Sequence, residues 1–276
     1  SCLPSASSLS CMFFHRCNKT MQTRAPAKVI LFGEHAVVYG QPAIAVHVSA
    51  LTAEADVTPG GEGLHIIAED TGQTLPVTIE HSHVDNALTL MATLTLRFLN
   101  QPAPNATIRI HSAIPLASGL GSGAAVSAAL GRAIAAALNT TISDDDLNKL
   151  VYEVERMHHG TPSGIDNTVI VYEKPVYFVR EEPIEMLNIH APFQILIGDT
   201  GKKGLTRESV GDVRKLYDAN RGRVGKLFND IGQIVKLARV AIEQGQVVQL
   251  GELMNRNHTL LQELTVSSPE LDALCD

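Results

Sequence analysis

The chain has 276 residues, 45% of them apolar and 18% charged, which excludes an intrinsically disordered polymer and leaves room for two domains or one large one. Twenty-nine acidic residues against 22 Lys and Arg give a net charge of −7; no basic cluster is long enough to follow a phosphate backbone, so no nucleic acid partner is expected. No run reaches the ~18 uninterrupted apolar residues of a membrane-spanning helix, so no membrane partner is expected either. Cys2, Cys11, Cys17 and Cys275 all stand near the chain ends, too far from any core to make a disulfide framework or a metal-ligand spacing, and a reducing, cytoplasmic setting fits them.

Residues 1–20 are Ser-rich, carry only Arg16 and Lys19 as charges and show no usable period, so they read as a non-native or disordered leader before Met21. A transit peptide is the competing reading. Short apolar and β-branched stretches at 28–32, Val37-Val38 and 43–57, broken by Gly33, Gly40 and Pro42, predict strands joined by tight turns. The turn cluster 58–63 lies between alternating segments and suggests a hairpin. Residues 86–99 predict a helix with Leu88, Met91, Ala92, Thr95 and Phe98 inward, and 106–110 a further strand. A small-residue helix is expected over 120–138, on a face of Val126, Ala129, Leu130, Ala133, Ile134 and Ala137. Ser143 and the three aspartates after it cap the next helix, with Leu147, Leu150, Val151, Val154 and Met157 inward. Strands are expected at 168–172, 176–179 and 193–197, then mostly helix over 206–264. Ser268-Pro269 starts a last helix carrying Leu271 and Leu274. Arg180-Glu181-Glu182-Pro183 is the candidate boundary between domains 21–182 and 183–276. Strands and helices mix without a clean βαβ alternation, which favours an α+β fold.

Three clusters carry the chemistry. Pro115, Ser118, Gly119, Leu120, Gly121, Ser122, Gly123 and Ala124 stand in a glycine-rich loop that follows a strand and opens a helix. Bare N–H groups at a helix start form a phosphate cradle. No Gly-Lys-Ser/Thr ends the loop and the dinucleotide fingerprint spacing fails, so it belongs to neither of those classes. The second cluster gathers Lys28, Glu34 and His35 around a strand and turn; the third places Glu155 near a helix end and Asp166 just past a Gly/Pro-broken loop. By helix angles Glu155 lies at the edge of the apolar stripe, where it can face a cleft. His158 and His159 read as ordinary satisfied histidines, since adjacent helical residues point apart.

Together these strings resemble the GHMP kinases. The stretch 28–40, Lys-Val-Ile-Leu-Phe-Gly-Glu-His-Ala-Val-Val-Tyr-Gly, is similar to the members that phosphorylate mevalonate, as are 161–167 and the segment from Met254-Asn255 to Cys275. The resemblance covers about residue 24 to the C-terminus. It implies a two-domain fold with a ribosomal-protein-S5 domain-2-like N-terminal part and an incomplete ferredoxin-like C-terminal part. It also implies ATP and mevalonate as substrates, a possible homodimer, and formation of 5-phosphomevalonate. By the same resemblance Asp166 would be the base and Lys28 its charged neighbour. Glu155 and Ser122 would hold Mg²⁺, and Glu34, His35 and Thr206 would meet the substrate. Two departures stand out. Gly123 occupies the place of the family's usual second serine, and the family's third glycine motif does not occur before Asp276. A truncated C-terminal domain is therefore expected, with the apolar face of Ile231, Ile234, Val235, Ala238 and Ile242 left uncovered and prone to association. The alternatives are another GHMP small-molecule kinase, such as a phosphomevalonate or homoserine kinase, or an impaired fragment or nucleotide-binding regulator on the same fold.

Overall fold

The computed structural model describes residues 20–78, 86–159, 162–201 and 206–275. The leader expected over 1–20 therefore lies almost wholly outside the described residues. β1 (Met21–Phe32) and β2 (Ala43–Pro59) run antiparallel as the spine of a seven-stranded sheet. On its other edge β2 is shared: its second half pairs with β5 (Ala106–Ser112) and its start with β6 (Val176–Phe178). β3 (Leu64–Ala68) lies parallel to β5, and β4 (Gln73–Val77) closes that edge; β7 (Glu185–Met186) closes the other.

Two irregularities in the β1–β2 register, at Pro26/Ala27 and Ile30/Phe32, let one strand pair serve two cores. Ala25, Ala27, Ala53, Ala55 and Val57 join β3 and β5 in the first core, under α1 (Ala87–Phe98), α2 (Ser122–Ala137), α3 (Asp144–His159) and α4 (Ile165–Tyr172). Leu31, Phe32, Ile44 and Val46 face the second, built by α5 (Thr206–Ala219), α6 (Arg221–Glu243) and α7 (Val247–Glu263), with α8 (Pro269–Cys275) beyond. Between them a small cluster of Val37, Ala43, Ala45, Ile165, Val169, Val176 and Phe178 closes the gap.

Several expectations are corrected here. No hairpin forms across 58–63, because β5 lies between β2 and β3. Asn105, at the entry to β5, binds the turn instead: Gly60 N–H donates to its carbonyl at 2.8 Å and Gly63 N–H to its Oδ1 at 2.9 Å. The hairpin comes one connection later, between β3 and β4. Val37-Val38 is no strand but part of a 3₁₀ turn, Ala36–Tyr39, set between His35 at φ 61° and Gly40 at φ 79°. Residues 168–172 are the body of α4, not a strand. Thr168 Oγ1 donates to Gly164 O at 2.7 Å, and Asn167, Thr168, Val169, Ile170 and Val171 are buried on all sides, so packing overrides their β-branched preference. Residues 193–197 form no strand: no described strand lies beside them, and Leu196 is fully exposed.

Phe98 is exposed while Leu96 is buried in its place, and Met157 is exposed at the edge of α3. The expectation of an uncovered α6 also fails. Ile231, Ile234, Val235, Ala238 and Ile242 are all buried against β1, β2 and α7, with Tyr39 stacked on Phe228 at 4.2 Å between ring centroids. Strands of the sheet's spine, not strands of a second sheet, cover that helix. Among the described residues no helix is long and apolar enough to cross a membrane.

Candidate active site

Lys28 enters the site from the middle of β1. Its side chain is 6% exposed, and its Nζ lies 2.9 Å from Asp166 Oδ1. A buried ammonium requires a partner of opposite charge, and the fold delivers this one from 138 residues away: Gly164, at φ 93°, opens α4 and places Asp166 in its first turn. Arg132 of α2 fixes the far end of α4, donating to Val171 O at 2.8 Å and to Glu173 Oε1 at 3.0 Å while also reaching Arg24 O of β1.

The glycine loop rests directly on that lysine. Lys28 N–H donates to Leu120 O at 3.0 Å. Gly121, at φ 77°, is the N-cap of α2, and a Cβ there would meet Ile170 Cδ1 at 2.8 Å and Lys28 Cγ at 3.0 Å, so glycine alone fits. Ala117, Gly119 and Gly121 all have positive φ, with Ser118 and Leu120 between them. This turns successive N–H groups toward one concave side. Ser118 Oγ braces the loop by donating to Pro115 O at 2.8 Å and accepting from Leu120 N–H. The first N–H groups of α2, on Ser122, Gly123 and Ala124, have no helical carbonyl to bond. Leu120 and Ala124 are buried anchors, and Pro115 is at the exposed rim.

Glu155, buried on α3, reaches the same place: a Cβ on Gly123 would lie 3.3 Å from its Oε1. Burial pushes the Glu155 carboxyl up to about 7; the negative charge of Asp166 adds to this and Lys28 offsets part of it. The Glu155 carboxylate thus lies against the start of α2, whose first residue is Ser122; carboxylate and hydroxyl oxygens are the hard donors that suit Mg²⁺. Among the described residues no cluster of three His, Cys, Asp or Glu could hold a metal alone.

Glu34 and His35 follow β1 after Gly33, whose φ of 95° and 2.4 Å approach of a notional Cβ to Pro42 O admit no side chain. Both are half-buried and line a cavity of about 260 Å³ with His258, Leu261, Val266, Ser267, Leu271 and Cys275 of the α7–α8 corner. Burial pushes the Glu34 carboxyl above its usual range, against the pull of its own N–H, the Asn257 amide, the Lys28 charge and the Gly33 N–H. Burial takes the His35 imidazole down to about 4, leaving it neutral near pH 7. Thr206 begins α5, but its side chain is outside the described residues, as are those of His158 and His159. Of the side chains expected at the site, Lys28, Asp166, Glu155 and the loop are brought together, with Glu34 linked to them through the Lys28 charge. Asn257 and the α7–α8 corner are additions; their signal was the segment after Met254, noted for its resemblance and not for any site residue.

Residues 84–174 match the family described as GHMP kinases N terminal domain. A mevalonate kinase of Pyrococcus abyssi is 33% identical over 275 residues, covering 91% of this chain and 79% of the relative. The chain belongs to the mevalonate kinases of the GHMP family. The mevalonate kinase crystal structure from Methanococcus jannaschii superposes with a TM-score of 0.76 at 26% identity, over 93% of this chain and 83% of that one. That of L. major mevalonate kinase in complex with R-mevalonate gives 0.71 at 28%, over 92% and 78%. The GHMP kinase fold implied by the resemblance is therefore the fold observed, with mixed α and β content, and the activity of the family is ATP-dependent.

Proposed function

We propose that this chain transfers the γ-phosphoryl group of ATP to the C5 hydroxyl of mevalonate, forming 5-phosphomevalonate for isoprenoid synthesis. The observation that carries this reading is the Lys28–Asp166 contact of 2.9 Å directly beneath the glycine loop. Phosphoryl transfer asks a protein chiefly for positioning and charge neutralisation, and each element supplies a part. The loop and the start of α2 bind the phosphates through N–H groups. Asp166 accepts the proton of the attacking hydroxyl, and Lys28 stabilises the negative charge on the hydroxyl oxygen and on the moving phosphoryl group. General-base help of this kind contributes about 10²–10⁴-fold.

Glu155 and Ser122 would hold Mg²⁺ with the phosphates, and the ion would supply charge neutralisation during phosphoryl transfer. Glu34, His35 and Thr206 are assigned to the substrate side. A division into an ATP-binding part, 21–182, and a second part, 183–276, belongs to the same proposal, as does a cytoplasmic setting. The test is ATP turnover with mevalonate, phosphomevalonate, homoserine and galactose in parallel. Turnover with mevalonate at least tenfold above the others is expected; a preference for any other acceptor overturns the substrate assignment.

A further inference from the structure

Glu34 is held by a residue from far along the chain. Asn257 of α7, 223 residues further along the chain, donates from Nδ2 to Glu34 Oε2 at 3.2 Å. It follows Leu250 and Leu253 at helical spacing, on the stripe of α7 that packs into the second core, and is only 3% exposed. Its other polar atom, Oδ1, is buried with no hydrogen-bond partner among the described residues. Packing does not explain such a residue. Leucine would fill the same stripe without an unpaired buried carbonyl oxygen, which is costly to leave unmatched. What asparagine adds there is one hydrogen bond, donated from Nδ2 to one carboxylate oxygen.

We infer that Asn257 is a positioning residue, whose amide fixes the Glu34 carboxylate in the cavity wall and so sets the substrate-side anion relative to Lys28. The inference deepens the proposed function, since it takes the Glu34 side of the site to be where the acceptor substrate sits. The groups facing Glu34 are Lys28 from β1, His35 from its own turn, His258 of α7, and Cys275 of α8. His258 is itself bonded to Asp272 at 2.9 Å. Asn257 supplies the one side-chain hydrogen bond among the contacts that pull Glu34 toward its charged form.

The experiment compares wild type, Asn257→Leu and Asn257→Asp as full chains. Kinetics are measured with mevalonate and ATP varied separately, and Glu34 is titrated by carboxyl-carbon NMR without substrate. Loss of one charge-assisted hydrogen bond is expected to raise KM for mevalonate about ten- to a hundredfold in Asn257→Leu. KM for ATP should stay within about twofold, and Tm should be unchanged or higher, because the orphaned oxygen is gone. Asn257→Asp, of the same shape, sets two carboxylates against each other and should move the Glu34 titration upward. A fall in Tm and active fraction with KM unchanged would mean a merely structural role and overturn the inference. Should Asn257→Leu fail to fold, an unmoved Glu34 titration in Asn257→Asp overturns it equally. A wild type inactive on mevalonate would remove the substrate assignment alone, and the substrate-free titration would still decide whether Asn257 holds Glu34.

Discussion

Asp166 is the ion-pair partner of Lys28 where water barely reaches, and the same contact makes the aspartate difficult to replace. Asp166→Asn keeps the shape but removes both the proton acceptor and the countercharge. We expect kcat to fall about 10²–10⁴-fold, ATP affinity by titration to stay near normal, and stability to drop by about 1–3 kcal/mol as Lys28 loses its ion pair. Retention of more than a tenth of wild-type kcat would remove Asp166 as the base. Glu155 gives a pH signature. Its folded value of about 7 lies above the usual 4.5, so between those pH values the folded protein holds a proton that the unfolded chain releases. Without metal, stability should therefore fall as pH rises from about 4.5 through 7, by roughly 3 kcal/mol in all. Glu155→Gln should flatten that slope, and Mg²⁺ with nucleotide should reduce it in wild type, since the ion favours the charged carboxylate. Denaturant midpoints at pH 5 and 7.5 read this out, and an equal slope in Glu155→Gln would exclude Glu155 as its source. Gly123→Ser places a hydroxyl beside Glu155 at a position free of backbone strain; the Mg²⁺ concentration for half-maximal rate should fall or stay the same.

At the scale of elements, α2 shows why small residues were necessary. A Cβ on Gly131 would lie 2.5 Å from Met91 Cε of α1 and 2.7 Å from Leu147 Cδ1 of α3. Gly131→Ala should therefore cost about 1–3 kcal/mol, less if the flexible ends of Met91 and Leu147 move aside, and a thermal melt measures it. An unchanged or raised Tm would show that those ends give way freely. The extent of α2 and the Ser143 cap of α3 were readable in the sequence because helix starts and caps are local, but the inward face of α2 was not: it is buried nearly all round, with Val126 and Ala137 of the expected face only partly buried. α4 was not: Thr168, Val169, Ile170 and Val171 carry the composition of a strand, and only burial beneath α2 and the sheet makes them helical. The failed hairpin has the same kind of cause. Asn105, more than forty residues on, decides the path of the 58–63 turn, and no local pattern records a partner at that distance. The site was more legible than the fold around it, since Lys28, the loop, Glu155 and Asp166 each sit in a recognisable string. Asn257 was not legible, because its role depends on a contact spanning most of the chain.

The whole molecule is tied together by two strands that belong to both cores. Ala25 and Ala27 of β1 pack with the first core, Leu31 and Phe32 with the second, and β2 divides in the same way. Loss of one core therefore strips a wall from the other. We expect one cooperative unfolding transition, with the calorimetric and van't Hoff enthalpies in agreement. Ile231→Ala in the second core should lower stability by about 2–5 kcal/mol and shift that transition as a unit. Two resolved transitions, only one of them moved by Ile231→Ala, would show that the cores fold separately. The buried face of α6 also removes the reason for expecting association through Ile231, Ile234 and Val235; self-association, if measured, must use another surface.

The divided edge of β2 sets a schedule for the chain as it is made. β2 is complete at Pro59, but the partners on that edge end at Ser112 and Phe178. At about 5–20 residues per second, roughly 6 to 24 s separate the emergence of Pro59 from that of Phe178. The second half of β2, with Val57, waits only for β5, but through the whole interval its start, Ala43 to Ala45, displays unpaired strand backbone, the kind of edge on which chains stick to one another. Ribosome-bound nascent chains stopped before residue 176 should be bound by holdase chaperones, and those stopped well beyond α6 should be released.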